Sequence, residues 1–447
     1  MKQLVRLVVV AGLFVAVPVY GSPFDLSSAY QKAFEYDAQV RAAKADNLVA
    51  KEEIAKARSE FRPRMSANLQ QGRSETLSIT PSPYGGYSRN SQNYNSKTYG
   101  LSLQQPLFNL SSLAEYKQAR SVAAKSEFML QKESSNLIVR ITEAYCNALY
   151  AEDNLEFSQT HIKASQEQLQ QTKRRYEKGF GTITEISEAQ ASYDMALADG
   201  VDVVNSVEFS RRELEHYTGI YPEALCKLVP AKMRLARPVP EKVESWIELA
   251  RSENHEVGAA REEIKIARKE VDKQRATRYP TLNLVAGQSY NESDSNYIIG
   301  SAYNTYSIAL QMSVPIYTGG YVSASVRQAQ AKRLKAQEQL SWQERGTESD
   351  VRKYYNGIIN SIAQIEAYEQ AVKSGEIALK GTKKGFELGL RTNIEVLDAD
   401  EKLLSSRRNL AKSRYQYILY SLQLKDSAGT LSPGDIDDVN AWLSLTK

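Results

Sequence analysis

Apolar residues recur every seven positions along two long stretches of the chain. Ile141, Ala148, Leu155, Ile162, Leu169 and Tyr176 form one series, and Ile358, Ile365, Val372, Leu379 and Phe386 form another. Each series runs into a glycine, Gly179 or Gly389, and a new series starts beyond it. Ile186, Tyr193, Gly200, Val207 and Leu214 follow the first glycine; Val396, Leu403, Leu410, Tyr417 and Leu424 follow the second. A heptad repeat held this long predicts supercoiled helices, here two hairpins with tight glycine turns at their tips. The stretch from Asn109 to Lys178 would be about 105 Å long if helical throughout. The second seam position is small or polar: Ala144, Ala151, Ser158, Ser165 and Thr172. An ordinary two-stranded coiled coil places Leu there. A narrow apolar stripe beside small residues suits helices packed side by side in a wall with its other faces wet. The helices alone are equally consistent with a soluble coiled-coil hairpin.

Ahead of each long helix the period changes from seven to two. In the second half Tyr306, Ile308, Leu310, Met312 and Val314 alternate with Thr305, Ser307, Ala309, Gln311 and Ser313. In the first half Tyr99, Leu101 and Leu103 alternate within Thr98 to Gln104. Two weaker alternations, Met65 to Gln71 and Thr281 to Ser289, complete a pair of strands in each half. Alternating segments of about ten residues have the size of transmembrane β-strands. The polar stretches between paired strands, Ser82 to Asn95 and Asn291 to Ala302, read as exposed loops. Pro63 and Pro280 enter the strands, and Pro106 and Pro315 leave them.

The two halves are in register. Tyr176-Glu177-Lys178-Gly179 recurs as Phe386-Glu387-Leu388-Gly389, an offset of 210. Glu177/Glu387, Gly179/Gly389, Thr182/Thr392, Glu185/Glu395 and Ala189/Ala399 are identical at that offset. The chain therefore divides into a first repeat at 22–220, a proline-bearing linker at 221–240, a second repeat at 241–425 and a C-terminal tail at 426–447. Residues 1–21 read as a secretory signal: Lys2 and Arg6 precede an apolar run from Leu7 to Val17, and Gly21 is small enough for cleavage. Beyond them no apolar run is long enough for a transmembrane helix, so any membrane passage must be made by strands.

Charge and composition exclude several functions. The 57 basic and 53 acidic residues are interleaved, without the clustered basic face that nucleic acid requires. His161, His216 and His255 lack spaced Cys or His partners, so no metal site is expected, and no cofactor. There is no phosphate-binding glycine loop and no nucleophile elbow, so the chain does not read as an enzyme. The 27 tyrosines suit loops or membrane interfaces. Cys146 and Cys226 are expected as two separate buried thiols, although one bridge is conceivable in an oxidising compartment.

Four strands cannot close a membrane barrel, which starts at about eight strands. Strands in lipid would therefore require several chains to form a ring, with two or three chains both compatible with the geometry. A ring of such chains would carry long helices below it as a hollow wall, which is a duct.

At this level of detail the chain resembles the TolC family of outer-membrane factors. The resemblance rests on the duplicated halves, on Gly389-Leu390-Arg391-Thr392-Asn393-Ile394-Glu395-Val396-Leu397-Asp398-Ala399, on Tyr217-Thr218-Gly219-Ile220-Tyr221-Pro222-Glu223 and on Ala428-Gly429-Thr430-Leu431. It implies a mixed membrane α+β fold: a homotrimeric barrel in outer-membrane lipid, with four strands per chain and twelve in the trimer, continued by an α-helical barrel through the periplasm. It implies passive export once docked to a periplasmic adaptor and an inner-membrane pump of ABC or RND type. It also implies a periplasmic gate at the tips, with Arg391 meeting Glu185 and Thr184. Phe386 stands where the family carries a tyrosine, so one gate hydrogen bond is expected to be missing. Glu395 and Asp398 are expected to line the constriction, where rings of carboxylates attract cations. The same acids, with Glu185 and Glu188, begin helices, where the helix dipole alone favours them.

Overall fold

The computed structural model describes residues 24–295 and 297–444. The expected signal segment at 1–21 lies outside the described residues. Two helices open the chain, α1 (Leu26–Tyr36) and α2 (Ala38–Ser59). Strands β1 (Arg64–Pro81) and β2 (Tyr87–Phe108), long helix α3 (Leu110–Glu177) and return helix α4 (Ile183–Thr218) follow. After the short strand β3 (Lys227–Leu228) the order recurs. It runs α5 (Val243–Glu253), α6 (His255–Ala276), β4 (Thr281–Glu292), β5 (Ala302–Ser313), α7 (Tyr321–Glu387) and α8 (Asn393–Ser427). Helix α9 (Pro433–Asn440) and β6 (Leu443–Ser444) end the described chain, with β6 pairing antiparallel to β3.

The heptad series form the helices they predict. Helix α3 has 68 residues and α7 has 67, so each is about 100 Å long. The small seam of α3 is buried along its whole length: Ala144, Ala151, Ser158, Ser165 and Thr172 are all at most 7% exposed. Small side chains there let neighbouring helices approach closely. Gly200 does the same on α4, where a Cβ would stand 2.9 Å from Ile162 Cδ1. No described helix is long and apolar enough to cross a membrane.

The four strands form one antiparallel sheet in the order β1-β2-β4-β5. Its register sorts the two faces by chemistry, because directly paired residues point the same way. The rows Met65–Leu103–Ala286–Ile308 and Ala67–Leu101–Gln288–Tyr306 lie on one face, with Leu284–Leu310 and Leu282–Met312 continuing it. Rows Ser66–Ser102–Gly287–Ser307 and Asn68–Gly100–Ser289–Thr305 lie on the other. The apolar face is uncovered: Met65, Leu69, Ile308, Leu310 and Met312 are 63–83% exposed. From Leu282 to Tyr290 that face extends about 27 Å along β4, close to the height of a barrel's lipid-facing band. Tyr99 and Tyr290 stack on it with ring centroids 4.5 Å apart. Both edges of the sheet, β1 and β5, have no further strand among the described residues.

Two sequence expectations need correction here. The stretch from Tyr87 to Asn95, read as loop, belongs to β2, and β1 extends to Pro81 to pair with it. This stretch of β2 is built of Ser, Asn, Gln, Arg and Tyr and lacks the apolar alternation that Leu77 and Ile79 give its partner β1, so its own pattern does not reveal it. Backbone pairing holds it, with the turn made by Gly85 and Gly86 at positive φ. Pro106 does not end its strand either. A register shift between Pro106 and Phe108 absorbs the missing donor and the ladder continues to Phe108.

The core lies at the waist of the molecule, around the middle of α3. Leu137, Ile141, Tyr145 and Leu149 of α3 meet Leu26 and Ala33 of α1, Trp246 and Ile247 of α5, Leu422 and Leu424 of α8, and Ile436 of α9. The buried Tyr145 hydroxyl accepts from the Cys226 N–H at 3.0 Å and lies 3.0 Å from the Phe24 carbonyl oxygen. It thereby fastens both the N-terminal segment and the segment that follows α4. Asp37 and Asn254 break the paired helices α1/α2 and α5/α6 in the same manner, each capping the following helix with its side chain. Cys146 and Cys226 are buried and unbridged. Burial pushes the Cys146 thiol up to about 12, and it also raises that of Cys226.

Two outcomes follow from this packing. Neither cysteine should react with a maleimide in the native protein at neutral pH, and both should react after denaturation; mass spectrometry of the labelled chain distinguishes the two states. Gly429 has φ +74°, and a Cβ there would stand 2.2 Å from the Glu253 carbonyl oxygen. Gly429→Ala should therefore cost about 2–4 kcal/mol, read as a lowered thermal midpoint.

Candidate functional site at the hairpin tips

The turns between α3 and α4 and between α7 and α8 have one construction. Each long helix ends in a glycine of positive φ, +80° at Gly179 and +75° at Gly389. The following N–H closes back over five residues: Phe180 donates to the Arg175 carbonyl at 3.0 Å and Leu390 to the Gly385 carbonyl at 2.8 Å. This is a Schellman ending, which requires a left-handed residue and so selects glycine. Each return helix then starts with a capping box. The Glu185 N–H donates to Thr182 Oγ1 while Glu185 Oε2 accepts from the Thr182 N–H. Thr392 and Glu395 repeat this at 3.4 and 3.2 Å. Three of the five identities at offset 210, Gly179/Gly389, Thr182/Thr392 and Glu185/Glu395, are thus turn chemistry.

The expected gate residues separate into two groups. Arg391, in the turn just ahead of α8, pairs with Glu395 in the first turn of that helix at 3.5 Å, and its side chain is 60% exposed. It crosses Gly385 closely enough that a Cβ on that glycine would meet Arg391 Cγ at 2.6 Å. Glu185 is occupied by its own cap, Thr184 is exposed, and within one chain neither meets Arg391. Asp398 is exposed and makes no ion pair among the described residues, whereas Glu395 is held between Thr392 and Arg391.

Phe386 is placed differently from its counterpart. Its side chain is 1% exposed, whereas Tyr176 at the matching position of the first tip is 46% exposed. The Arg175 guanidinium lies over the Phe386 ring, 4.5 Å from its centroid, and Arg175 also donates to the Phe386 carbonyl. Sequence reasoning did not single out Arg175. Asn393 is completely buried, whereas Ile183 at the matching position of the first tip is 63% exposed. Asn393 Oδ1 accepts from Gln168 Nε2 at 2.7 Å, and its Nδ2 donates to the Glu185 carbonyl at 3.4 Å. Farther from the tip, His161 Nδ1 and Asp400 Oδ2 are 2.6 Å apart, joining α3 to α8. No cluster of His, Cys, Asp or Glu among the described residues could hold a metal ion.

Comparison with known proteins places this geometry in a family. Residues 29–220 and 246–430, one stretch in each half, match the outer membrane efflux protein family. The chain is 34% identical over 431 residues to outer membrane protein TolC of Vibrio cholerae serotype O1, covering 95% of this chain and 94% of that protein. It is 33% identical over 418 residues to alkaline protease secretion protein AprF of Pseudomonas aeruginosa, covering 93% and 86% of the two chains. Among solved structures, CusC superposes with a TM-score of 0.78 over 91% of this chain and 92% of that one, at 15% identity, a likeness of fold alone. Both halves match, relatives above 30% identity extend over nearly the whole chain, and the long helices meet a sheet with one bare apolar face. The chain belongs to the outer membrane efflux protein family and is an exit duct of the Gram-negative outer membrane.

Proposed function

We propose that three copies of this chain close a twelve-stranded barrel in outer-membrane lipid and continue it as a helical tube through the periplasm. In this reading the halves are copies of one unit, and the tube lets cargo pass without doing chemistry on it. The carrying observation is the sheet: one face apolar and exposed, the other polar, and both edges unpaired among the described residues. Open edges in lipid leave backbone groups unsatisfied at several kcal/mol each, and pairing β5 of one chain with β1 of the next removes that cost. The bare apolar face then meets lipid and the polar face lines a wet lumen. A coiled-coil scaffold leaves such a face without a role.

At the other end the hairpin tips form the constriction. Arg391, largely exposed and turned away from Glu185 of its own chain, is read as reaching Glu185 and Thr184 of a neighbouring chain in the closed tube. The tips dock a periplasmic adaptor and an inner-membrane pump of ABC or RND type. Relatives named for the secretion of proteases point to protein cargo, and a relative named as an efflux protein points to small toxic compounds.

Native mass spectrometry of the detergent-extracted protein should give three chains per particle; a single chain or a pair sinks the barrel count. Arg391→Ser should raise single-channel conductance in planar bilayers, and an unchanged conductance removes Arg391 from the gate. Asp398→Asn should lower cation preference more than Glu395→Gln, because Glu395 is already paired with Arg391 and glutamine can still cap the helix. Reversal potentials in asymmetric salt measure the difference.

A further inference from the structure

The missing hydroxyl at Phe386 leaves open what holds the second hairpin against the first. The two tips are built alike, yet they are not buried alike, and the difference is concentrated at two positions. Phe386 is buried where Tyr176 is exposed, and Asn393 is buried where Ile183 is exposed. Both buried residues belong to the second hairpin, and both are gripped by the first.

The grip on Phe386 is one side chain, Arg175, in the last turn of α3. Its guanidinium covers the Phe386 ring at 4.5 Å and donates to the Phe386 carbonyl. Its other terminal nitrogen lies 3.4 Å from the Phe180 carbonyl of its own turn. A guanidinium can do all three at once because it is planar and carries several donors. The Phe386 carbonyl also accepts from the Gly389 N–H at 3.0 Å and Phe180 lies in the turn beyond α3, so Arg175 ties the end of α7 to the tip of its own hairpin.

The grip on Asn393 is a small polar pocket. Gln168 Nε2 donates to Asn393 Oδ1 at 2.7 Å, and Thr172 Oγ1 lies 3.4 Å from the same oxygen. The Asn393 amide donates in turn to the Glu185 carbonyl at 3.4 Å, so one buried residue of α8 is bonded to both α3 and α4. Gln168 and Thr172 are 4% and 0% exposed, so separating the hairpins would strip buried polar groups of their partners before water could replace them.

We propose that Arg175 and Asn393 form a latch within each chain that holds the second hairpin tip against the first and so sets how readily the tube opens. It replaces the hydrogen bond that Phe386 cannot make, and it is distinct from the Arg391 contact assigned to the chain boundary. This inference rests on reading the tips as the constriction. Both are positioning residues: they touch helix ends, not cargo.

The test is single-channel conductance of the full-length protein in planar bilayers, with Arg391→Ser measured alongside. Asn393→Ile installs the residue type of the first tip, and Arg175→Gln removes the cation. Each should raise conductance by roughly twofold or more, and the pair together should raise it further. Arg175→Lys keeps charge and helix propensity but loses the flat fork, so an intermediate conductance is expected and folding is not in question. Native mass spectrometry of each variant, beside the parent protein, checks that it is assembled. Parental conductance in Arg175→Lys, Arg175→Gln and Asn393→Ile, with a rise in Arg391→Ser, overturns the latch and leaves the gate reading standing. Parental conductance in all four overturns both.

Discussion

Backbone hydrogen bonding in a solvent that offers none is the constraint from which most of this structure follows. The sheet presents Ile308, Leu310, Met312, Met65 and Leu69 on one exposed face, and among the described residues it stops after four strands with both edges unpaired. A face of that kind belongs against lipid, and edges of that kind cannot stay there unpaired. Neighbouring chains are the remaining source of partners. That requirement gives meaning to the small-residue seams of the long helices. Ala144, Ala151, Ser158, Ser165 and Thr172 let helices lie side by side at close range, as a tubular wall needs and a two-stranded coiled coil does not.

The waist reconciles a sheet at one end with helix hairpins at the other. It holds the large core residues and gathers the short elements α1, α5, α9, β3 and β6 around the middle of α3. Tyr145 illustrates how the joint is made. One buried hydroxyl engages the N-terminal segment and the segment that follows α4, so segments 121 and 81 residues away in sequence are fixed to one point. Gly429 completes the joint by allowing the end of α8 to pass against the Glu253 carbonyl, where no side chain fits.

The tips show how two copies of one motif come to do different work. Glycine turns and capping boxes are shared, because they satisfy the backbone and nothing else. Burial is not shared. Arg175 reaches across to Phe386 and Gln168 reaches across to Asn393, whereas Tyr176 and Ile183 at the matching positions remain exposed. Within the chain Arg391 lies beside Glu395 and remains largely exposed.

Much of this was determined by the sequence alone. Heptad spacing from Ile141 to Tyr176, with the tip glycine and the strand ahead of it, placed the first long helix to within a residue or two, since Asn109 to Lys178 became Leu110–Glu177. Glycines and prolines marked the tips and most strand ends, and strict alternation located β5. These features are local, so pattern alone carries them. The β2 stretch from Tyr87 to Asn95 was illegible because it has no apolar alternation of its own and only pairing with β1 defines it. The latch residues were illegible for a different reason. Arg175 and Gln168 look like ordinary surface positions of a charged helix, and only the packing of the second hairpin against the first decides that one covers an aromatic ring and the other is buried against Asn393. Sequence spacing reports what a residue's own helix does with it; which foreign carbonyl or ring it meets is set by distances across the fold, and those exist only once the hairpins have come together.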